Sequence, residues 1–317
     1  MLEPAMADLD LLTSPTGAVI IALPVTPLRL TGPDRLDFLH GQVSGEVKGL
    51  KVGQTSSALL LNVKGHALAL LRVYRREEDL FVAVEDGAGA LVKAQLQAHI
   101  VFDQVTIEEL SGTLRAFTLQ GHGVREVLKR ALGSESPENG QFVQLPFAGA
   151  KVLLAPARRS LAGGADLHVL AKDADLLHEA LVQAGAAPAS PALLELARVE
   201  AGLPSAAGEG GVGVLPQECG LDYAVSYKKG CYLGQEIMAR LEARGNLRRR
   251  LVGVKLSGPP DDKALHYRGK EVGRLSSALL HPDLGWIGLA VVRLELAIGT
   301  ELTAGGTQAT LTPLPFK

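Results

Sequence analysis

The stretch KKGCYLGQE occupies residues 228–236 and lies where the pattern of the sequence changes. Before it, strand-like alternation and helix-like spacing take turns along the chain. From residue 248 onward, short strand-like runs alternate with glycine and proline turns, and no long helical pattern appears. The stretch therefore lies just before a domain boundary, where clefts are common. The two patterns predict an α+β part followed by a small β-barrel or sandwich.

The α+β part contains a short internal sequence repeat. Residues 26–42 (TPLRLTGPDRLDFLHGQ) alternate like a strand, turn at a glycine and continue with helical spacing. Residues 114–133 (LRAFTLQGHGVREVLKRALG) repeat this order, and aligning Gly32 with Gly121 places Phe38 over Val127. We therefore predict two α+β units at residues 1–112 and 113–246, followed by a β domain at residues 247–317.

Composition excludes several classes of protein. The 317 residues are 47% hydrophobic and 21% charged, which is typical of a globular chain with a sizeable core. A net charge of −2 gives no global basic field, so we predict no binding to nucleic acid. We predict a cytoplasmic protein without a membrane segment. The chain has only two cysteines, it carries acids near the N-terminus, and its apolar run at residues 17–25 is too short to span a bilayer.

Common catalytic motifs are not supported by their surroundings. GEGGVG at residues 208–213 satisfies the dinucleotide spacing, but neither a strand before it nor a helix after it is predicted, so we interpret it as a loop. The sequence has no P-loop, no HExxH and no GxSxG. We predict no metal site, because the histidines are scattered and two cysteines do not supply the four ligands of a resident iron–sulfur cluster. A transient cluster contact through Cys231 is left open.

The residues around Cys231 favour a reactive thiol. Helical spacing over residues 234–243, with Gly245 as a stop, puts Cys231 just before a helix N-terminus and beside Lys228 and Lys229. Both features favour the thiolate. Five arginines follow and form a predicted positive patch for a carboxylate or phosphate ligand: Arg240, Arg244, Arg248, Arg249 and Arg250. The alternatives are a buried structural cysteine and a solvated arginine face.

Glu200 is a second candidate. It ends a predicted helix that has Ser190 as its N-cap, Pro191 in its first turn and Gly202 as its stop. A carboxylate there could accept two N–H groups from a 2-amino-4-oxo pterin. The alternative is an exposed helix face.

Eight consecutive residues around Cys231 carry a resemblance to a known family. KGCYLGQE at residues 229–236 matches the K-G-C-Y-x-G-Q-E signature of the YgfZ family of folate-binding proteins, which are relatives of the glycine cleavage T-protein. LTGPDRLDFLHGQ, LLNVKGH, RVEAGLP, PQECGLD and ARGNLRRRL resemble other blocks of that family, so the resemblance covers nearly the whole chain.

The resemblance implies a T-protein-like α+β fold with two ferredoxin-like units and a C-terminal β-barrel around a central channel. It also implies non-covalent binding of tetrahydrofolate or a derivative, and transient contact with iron–sulfur client or assembly proteins. Cys231 would be the functional thiol, assisted by Lys229. Together with the arginine patch, the resemblance predicts these folate-binding residues: Glu200, Tyr232, Gln235, Glu236, Arg240 and Arg248.

One departure separates the chain from the T-protein itself. The T-protein has an aspartate near folate N5, whereas the corresponding stretch here, GHALALL at residues 65–71, is apolar. This favours a folate-dependent accessory protein for iron–sulfur cluster assembly or repair; whether it turns over a substrate is left open. One alternative is a folate-dependent aminomethyl or one-carbon transferase, which an acidic residue near Leu70 would support. The other is a non-catalytic module whose basic patch binds a protein or RNA.

Overall fold

A computed structural model of the chain describes residues 6–211, 213–245 and 247–316; the side chains of residues 6–8 and 242–244 are outside this description. The described chain forms two units of mixed sheet and helix, followed by a closed β-barrel. The predicted α+β class and the terminal barrel are therefore confirmed. None of the described helices is long and apolar enough to cross a membrane.

The helices of the described chain are short. In chain order they are α1 Met6–Thr13, α2 Arg35–Gln42, α3 Gly89–Ala98, α4 Val124–Leu132, α5 Ala174–Gln183, α6 Pro191–Glu200, α7 Pro216–Cys219 and α8 Gln235–Arg244. Two single-turn 3-10 helices lie at Ala171–Asp173 and Asp222–Ala224.

The strands form two sheets and the barrel. The strands of the two sheets are β1 Val19–Ala22, β2 Thr26–Thr31, β3 Thr55–Leu61, β4 Ala67–Arg75, β5 Leu80–Val84, β6 Thr106–Glu109, β7 Leu114–Gln120, β8 Val143–Phe147, β9 Ala150–Ala157, β10 Gly164–Leu170 and β11 Ala187–Pro188. The barrel strands are β12 Arg249–Leu256, β13 Ala264–Tyr267, β14 Lys270–His281, β15 Gly285–Arg293, β16 Glu301–Ala304 and β17 Thr307–Thr312.

The first sheet has the order β3-β4-β5-β2-β6, and helices α2 and α3 cover one of its faces. Phe38 and Leu39 of α2 and Val92 and Leu96 of α3 are buried against it because apolar residues recur there at helical spacing. The predicted strand, turn and helix of residues 26–42 are confirmed. The turn needs a glycine, since Gly32 has φ +103° and a Cβ there would lie 2.0 Å from the Gln104 carbonyl oxygen.

The second sheet has the order β11-β1-β7-β10-β9-β8, with α4 and α5 on one face. The internal sequence repeat is also a structural repeat, because Gly121, like Gly32, has a positive φ (+124°) and separates a strand from a helix. Strand β1 pairs with β7 and β11, so the N-terminal strand belongs to the second sheet although it precedes the first in sequence. The boundaries after residues 112 and 246 remain predictions, and β1 departs from that linear division.

The barrel closes in the order β12-β15-β14-β13-β16-β17, with β12 paired to both β15 and β17. Helix α6 packs on its outside through Val199, which shares a buried cluster with Ile287, Leu289 and Phe316. A polar contact strengthens this junction: the fully buried carboxylate of Glu209 accepts hydrogen bonds from Arg198 of α6 and from Ser276 and Ser277 of β14. The loop that leads to the cysteine stretch is therefore fixed to the barrel.

Candidate functional site

Cys231 lies in the loop that connects the second 3-10 helix to α8. Its side chain is free and exposed, whereas Lys229 and Tyr232 on either side of the Gly230–Cys231 pair are each only 8% exposed. The loop therefore presents two residues between two buried anchors. Cys219 is different, because burial raises the pKa of its thiol to about 12, and its sulfur contacts the Pro216 carbonyl oxygen.

The ammonium group of Lys229 is turned into the protein. It donates to the carbonyl oxygens of His40, Val43 and Gly45 at the end of α2, with Nζ–O distances of 2.7 Å to Val43 and 2.8 Å to Gly45. The sequence had predicted that Lys229 would act beside the thiol. That role is untested, and in the structure the three donors of the ammonium group are all engaged elsewhere.

Tyr232 and Gln235 close the loop onto α8. The Gln235 side chain accepts a hydrogen bond from the Tyr232 backbone, and the Gln235 backbone donates to the Tyr232 carbonyl. The Tyr232 ring belongs to an apolar cluster with Leu61, Leu70 and Met238. The helix predicted over residues 234–243 is observed as α8 at Gln235–Arg244, and the predicted stop Gly245 adopts the left-handed conformation after it.

The turn between β3 and β4 lies directly against the start of α8. A Cβ on Gly65 would come within 2.8 Å of the Met238 methyl group, and one on Gly234 would lie 2.8 Å from the Asn62 carbonyl oxygen. Both glycines have positive φ, of +76° and +82°. Two of the sequence blocks that carried the family resemblance therefore meet in space, and both need glycine to do so.

One face of β4 connects the cysteine loop to the second sheet. Because side chains alternate along a strand, Leu70, Arg72 and Tyr74 share this face, while Leu71 and Val73 belong to the core under α2 and α3. Leu70 packs in the cluster of Tyr232, Arg72 reaches the second sheet, and Tyr74 packs in an aromatic cluster. The face thus changes from apolar to charged to aromatic over five residues.

The charged section is a partly buried network between the two sheets, in which Asp166 alone is fully buried. Arg159 binds both oxygens of Glu85, at 2.8 and 3.1 Å, and it also binds Asp166 at 2.7 Å. Arg72 donates to the Pro156 carbonyl and lies 3.7 Å from Asp166. Burial alone raises the pKa of Asp166, but the charge and hydrogen bonds of Arg159 together with the charge of Arg72 outweigh burial, so the pKa of this carboxyl is lowered. Asp166 is therefore ionised at neutral pH.

The aromatic section holds a buried histidine. His168 lies on the same face of β10 as Asp166, with its ring centroid 4.9 Å from that of Phe81 and 5.6 Å from that of Tyr74. Neither ring nitrogen has a hydrogen-bond partner within the described residues. Burial lowers the pKa of His168 to about 4, so its imidazole is neutral at physiological pH.

Sequence reasoning missed this network. Part of the signal was present, because Arg72 interrupts the apolar run of β4 and Asp166 lies within the otherwise uncharged strand GADLHVL. Such a charge on an inward face requires a partner. Sequence alone could not identify that partner, since Arg72 and Asp166 are far apart along the chain.

The other predicted ligand residues are dispersed. Glu200 lies at the end of α6 facing the barrel, 3.9 Å from the His281 ring, and burial followed by the charge of Asp283 raises its pKa. Glu236 and Arg240 form an exposed ion pair with each other at 3.0 Å on α8. Arg248 is exposed before β12. Lys229, Tyr232 and Gln235 are thus brought together; the ligand roles of all these residues remain predictions.

The predicted arginine patch was expected to bind an anionic ligand, but most of its arginines contact other groups of the protein. Arg249 binds Glu218 and the Gly213 carbonyl, and Arg250 donates to the Leu296 carbonyl. The side chain of Arg244 lies outside the described part. Three of the four described arginines are therefore engaged by separate protein groups. Within the residues that the structure describes, no group of three or more His, Cys, Asp or Glu side chains is placed to hold a metal ion.

Comparison with known proteins identifies the family. The model described as the GCVT N-terminal domain matches residues 24–229, which is more than half of the chain. The model described as the CAF17 C-terminal beta-barrel domain matches residues 248–315.

Relatives of known name agree with these matches. An aminomethyltransferase of Listeria welshimeri is 26% identical over 283 residues, covering 86% of this chain and 78% of that protein. One from Exiguobacterium sibiricum is 27% identical over 277 residues, covering 85% and 76%. The crystal structure of the glycine cleavage system aminomethyltransferase T from Bartonella henselae has a TM-score of 0.82 at 19% identity, over 95% of this chain and 86% of that one. The chain belongs to the GCVT domain family, with the predicted T-protein-like fold and a CAF17-type barrel at its C-terminal end.

Proposed function

We propose that this chain is a cytoplasmic, tetrahydrofolate-binding accessory protein for iron–sulfur cluster assembly or repair, with Cys231 as its functional thiol. Within the GCVT family we assign it to the YgfZ group, on the KGCYLGQE signature. Its partners would be a folate, bound non-covalently, and iron–sulfur client or assembly proteins that contact it transiently.

The observation that carries this proposal is the position of the thiol. Cys231 is exposed at the tip of a loop that is anchored on both sides, and the Tyr232 anchor shares its cluster with Leu70. At the place where an aminomethyl-transferring relative would need a carboxylate, this chain has an apolar side chain that is 8% exposed. An accessible nucleophile next to an apolar wall suits thiol chemistry with a partner better than charge stabilisation at folate N5.

The polar groups between the two sheets support a pterin site at this junction. Arg72, Glu85 and Arg159 retain 16–19% of their side-chain exposure, so a ligand between the units can reach them. The exposed ring of Tyr223 lies within electrostatic range of the same three charges. A pterin presents both N–H donors and a carbonyl acceptor, which match carboxylate oxygens and guanidinium N–H groups. Arg72, Glu85 and Tyr223 would hold the ring; Glu200 remains a weaker candidate because it faces the barrel.

The thiol role is tested by complementation. In a strain that lacks this protein, the activity of an iron–sulfur client enzyme is measured after expression of wild type, Cys231→Ala or Cys219→Ala, with equal protein levels verified. We expect wild type and Cys219→Ala to restore client activity and Cys231→Ala to leave it at the level of the deletion. Restoration by Cys231→Ala as complete as by wild type would refute the role of this thiol.

A folate-dependent aminomethyl or one-carbon transferase is the second candidate. Two observations favour it: the relatives above are named aminomethyltransferases, and Glu85 bonds through its backbone N–H to the Leu70 carbonyl, so an acid does lie next to Leu70. Its carboxylate is held by Arg159, which argues against its action as a base. Folate-linked turnover of an amine donor that is abolished in Glu85→Gln would favour this candidate over the first.

A further inference from the structure

Lys229 occupies a binding site made by the protein's own backbone. Its ammonium group donates to three carbonyl oxygens, those of His40, Val43 and Gly45. An ammonium group has three donors and no acceptor, so this arrangement uses its entire hydrogen-bonding capacity. Nothing remains on the nitrogen to bind a neighbouring sulfur.

One of the three carbonyls lies in the last turn of α2, and the other two directly follow the helix. Helix α2 ends at Gln42, so the His40 carbonyl is one of the last four, which have no partner within the helix. These groups carry the negative end of the helix dipole, where a cation is favoured. Lys229 thus caps a helix from the first unit with a side chain from the far end of the second.

A second contact joins the same two segments. The Ser44 hydroxyl donates to the Ala224 carbonyl at 2.7 Å, and the Ser226 backbone donates to the Ser44 carbonyl at 2.9 Å. Residues 40–45 and 224–229 are therefore attached at several points, and Lys229 is the last of these before the cysteine. A Cβ on Gly45 would lie 2.3 Å from the Ser57 carbonyl oxygen, so this platform is itself packed closely against β3.

Lys229 also contacts the other anchor of the loop. Its Nζ lies 5.0 Å from the centre of the Tyr232 ring, which is a cation–π distance. Burial lowers the pKa of Lys229 to about 8, and at pH 7 the amine is still mostly protonated and able to donate three hydrogen bonds. The charged groups near it are Glu46, which opposes this shift, and His40, whose own pKa is lowered by burial and then by Lys229.

We propose that Lys229 is a positioning residue, which fixes the cysteine loop onto the C-terminal end of α2 and so sets the place of the exposed Cys231 thiol without acting on the sulfur. This replaces the thiol-activating role that the sequence predicted for Lys229. The inference rests on the proposed function only for the importance of Cys231, and its test does not involve folate.

The test uses the reduced full-length protein and three variants. Lys229→Met removes the charge and the donors at nearly constant length, and Lys228→Met makes the same change in charge at the exposed neighbour. Hydrogen exchange reports the protection of residues 40–45 and 228–232. The pH profile of iodoacetamide alkylation reports the ionisation of Cys231, with Cys231→Ala as the blank for Cys219. Should Lys229→Met fail to fold, Lys229→Gln, which keeps two donors, takes its place.

Because exchange from these segments requires local opening, we expect Lys229→Met to speed it by about tenfold or more and Lys228→Met to leave it near the wild-type rate. The midpoint of the alkylation profile should differ between the two variants by less than about 0.3 pH units, because each substitution removes one positive charge and the Lys229 ammonium group is turned toward the carbonyls of residues 40–45. A midpoint about one unit higher in Lys229→Met than in Lys228→Met, or unchanged exchange, would overturn the proposal. Failure to bind folate would contradict the proposed function and leave this result unaffected.

Discussion

The guanidinium group of Arg159 binds both carboxylate oxygens of Glu85, and Glu85 donates its backbone N–H to the carbonyl of Leu70. The same guanidinium binds Asp166 on the second sheet. One arginine therefore bridges two carboxylates from two different sheets, Arg72 supplies a second positive charge beside Asp166, and the acid next to Leu70 is engaged in an ion pair. Removing Arg159 would leave both carboxylates without their shared counter-ion.

Removal of Arg159 is expected to destabilise the protein strongly. Asp166 is only 2% exposed, so Arg159→Met would leave it and Glu85 without their main counter-ion. Breaking a buried ion pair from one side costs about 3–5 kcal/mol, and we expect a loss of that order in the free energy of unfolding. Urea denaturation of the two proteins at pH 7 measures it.

Arg29→Met is the matched control for this substitution. Arg29 pairs with Glu108 across strands β2 and β6, and both side chains are about half exposed (42% and 50%). Exposed pairs contribute about 0–1 kcal/mol, so this variant should unfold close to wild type. Equal losses in the two variants would mean that the network between the sheets has no special importance.

His168 is expected to make stability depend on pH. An unfolded histidine titrates near pH 6.5, whereas burial lowers the pKa of the folded residue to about 4. The unfolded chain therefore takes up this proton first as pH falls. The contribution of neutral His168 to the free energy of unfolding is fully present above pH 6.5. It is lost progressively between about pH 6.5 and 4, and the total loss is roughly 3 kcal/mol.

His168→Phe tests this by removing the titrating group. A phenyl ring suits the contacts with Tyr74 and Phe81, and it removes two buried nitrogens that lack partners within the described residues. We expect the variant to match or exceed wild type in stability and to lose less stability between pH 6.5 and 4.5. A variant that keeps the full wild-type decline over that range would assign the decline to other groups.

A side chain at Gly65 is expected to reduce stability. Gly65→Ala would strain a residue with φ +76° and push its Cβ within 2.8 Å of the Met238 methyl group, so we expect a loss of about 1–3 kcal/mol. Gly163→Ala is the control, because Gly163 has φ +71° and open space around its Cβ. The difference between their unfolding free energies isolates the packing of α8 on the turn. No difference would contradict the close approach.

The two cysteines are expected to differ sharply in reactivity. Cys231 is exposed, whereas Cys219 is fully buried and its thiol has a pKa of about 12. A disulfide reagent should therefore modify one thiol rapidly in the native protein and the second only after unfolding. Cys231→Ala should show no rapid phase. A rapid phase that survives this substitution would show that Cys219 becomes accessible in the folded state.

The sequence predicted the elements better than their assembly. Period-two runs and glycine stops located β2 with α2, β7 with α4, and α8 with its end at Gly245, because these depend on local spacing and backbone conformation. Strand β1 lies within the apolar run of residues 17–25, but nothing in that run indicated that its partners β7 and β11 lie in the second sheet. Pairing between distant segments carries no local signal.

The same distinction applies to the site. The signature drew attention to Lys229, Cys231, Tyr232 and Gln235, which the fold does bring together. The direction of each side chain was not predictable, since the carbonyls that hold Lys229 come from residues 40–45. The network around Arg159 was missed because its members come from separate strands and the loop after β9, and only the packing of the two sheets joins them.

Folate binding is measured by calorimetric titration of the reduced protein with tetrahydrofolate, in wild type and in Cys231→Ala. We expect saturable binding at micromolar or tighter affinity in both proteins, because the thiol lies outside the groups that would hold the pterin. An absence of binding at millimolar folate would contradict this expectation and leave only the T-protein-like scaffold.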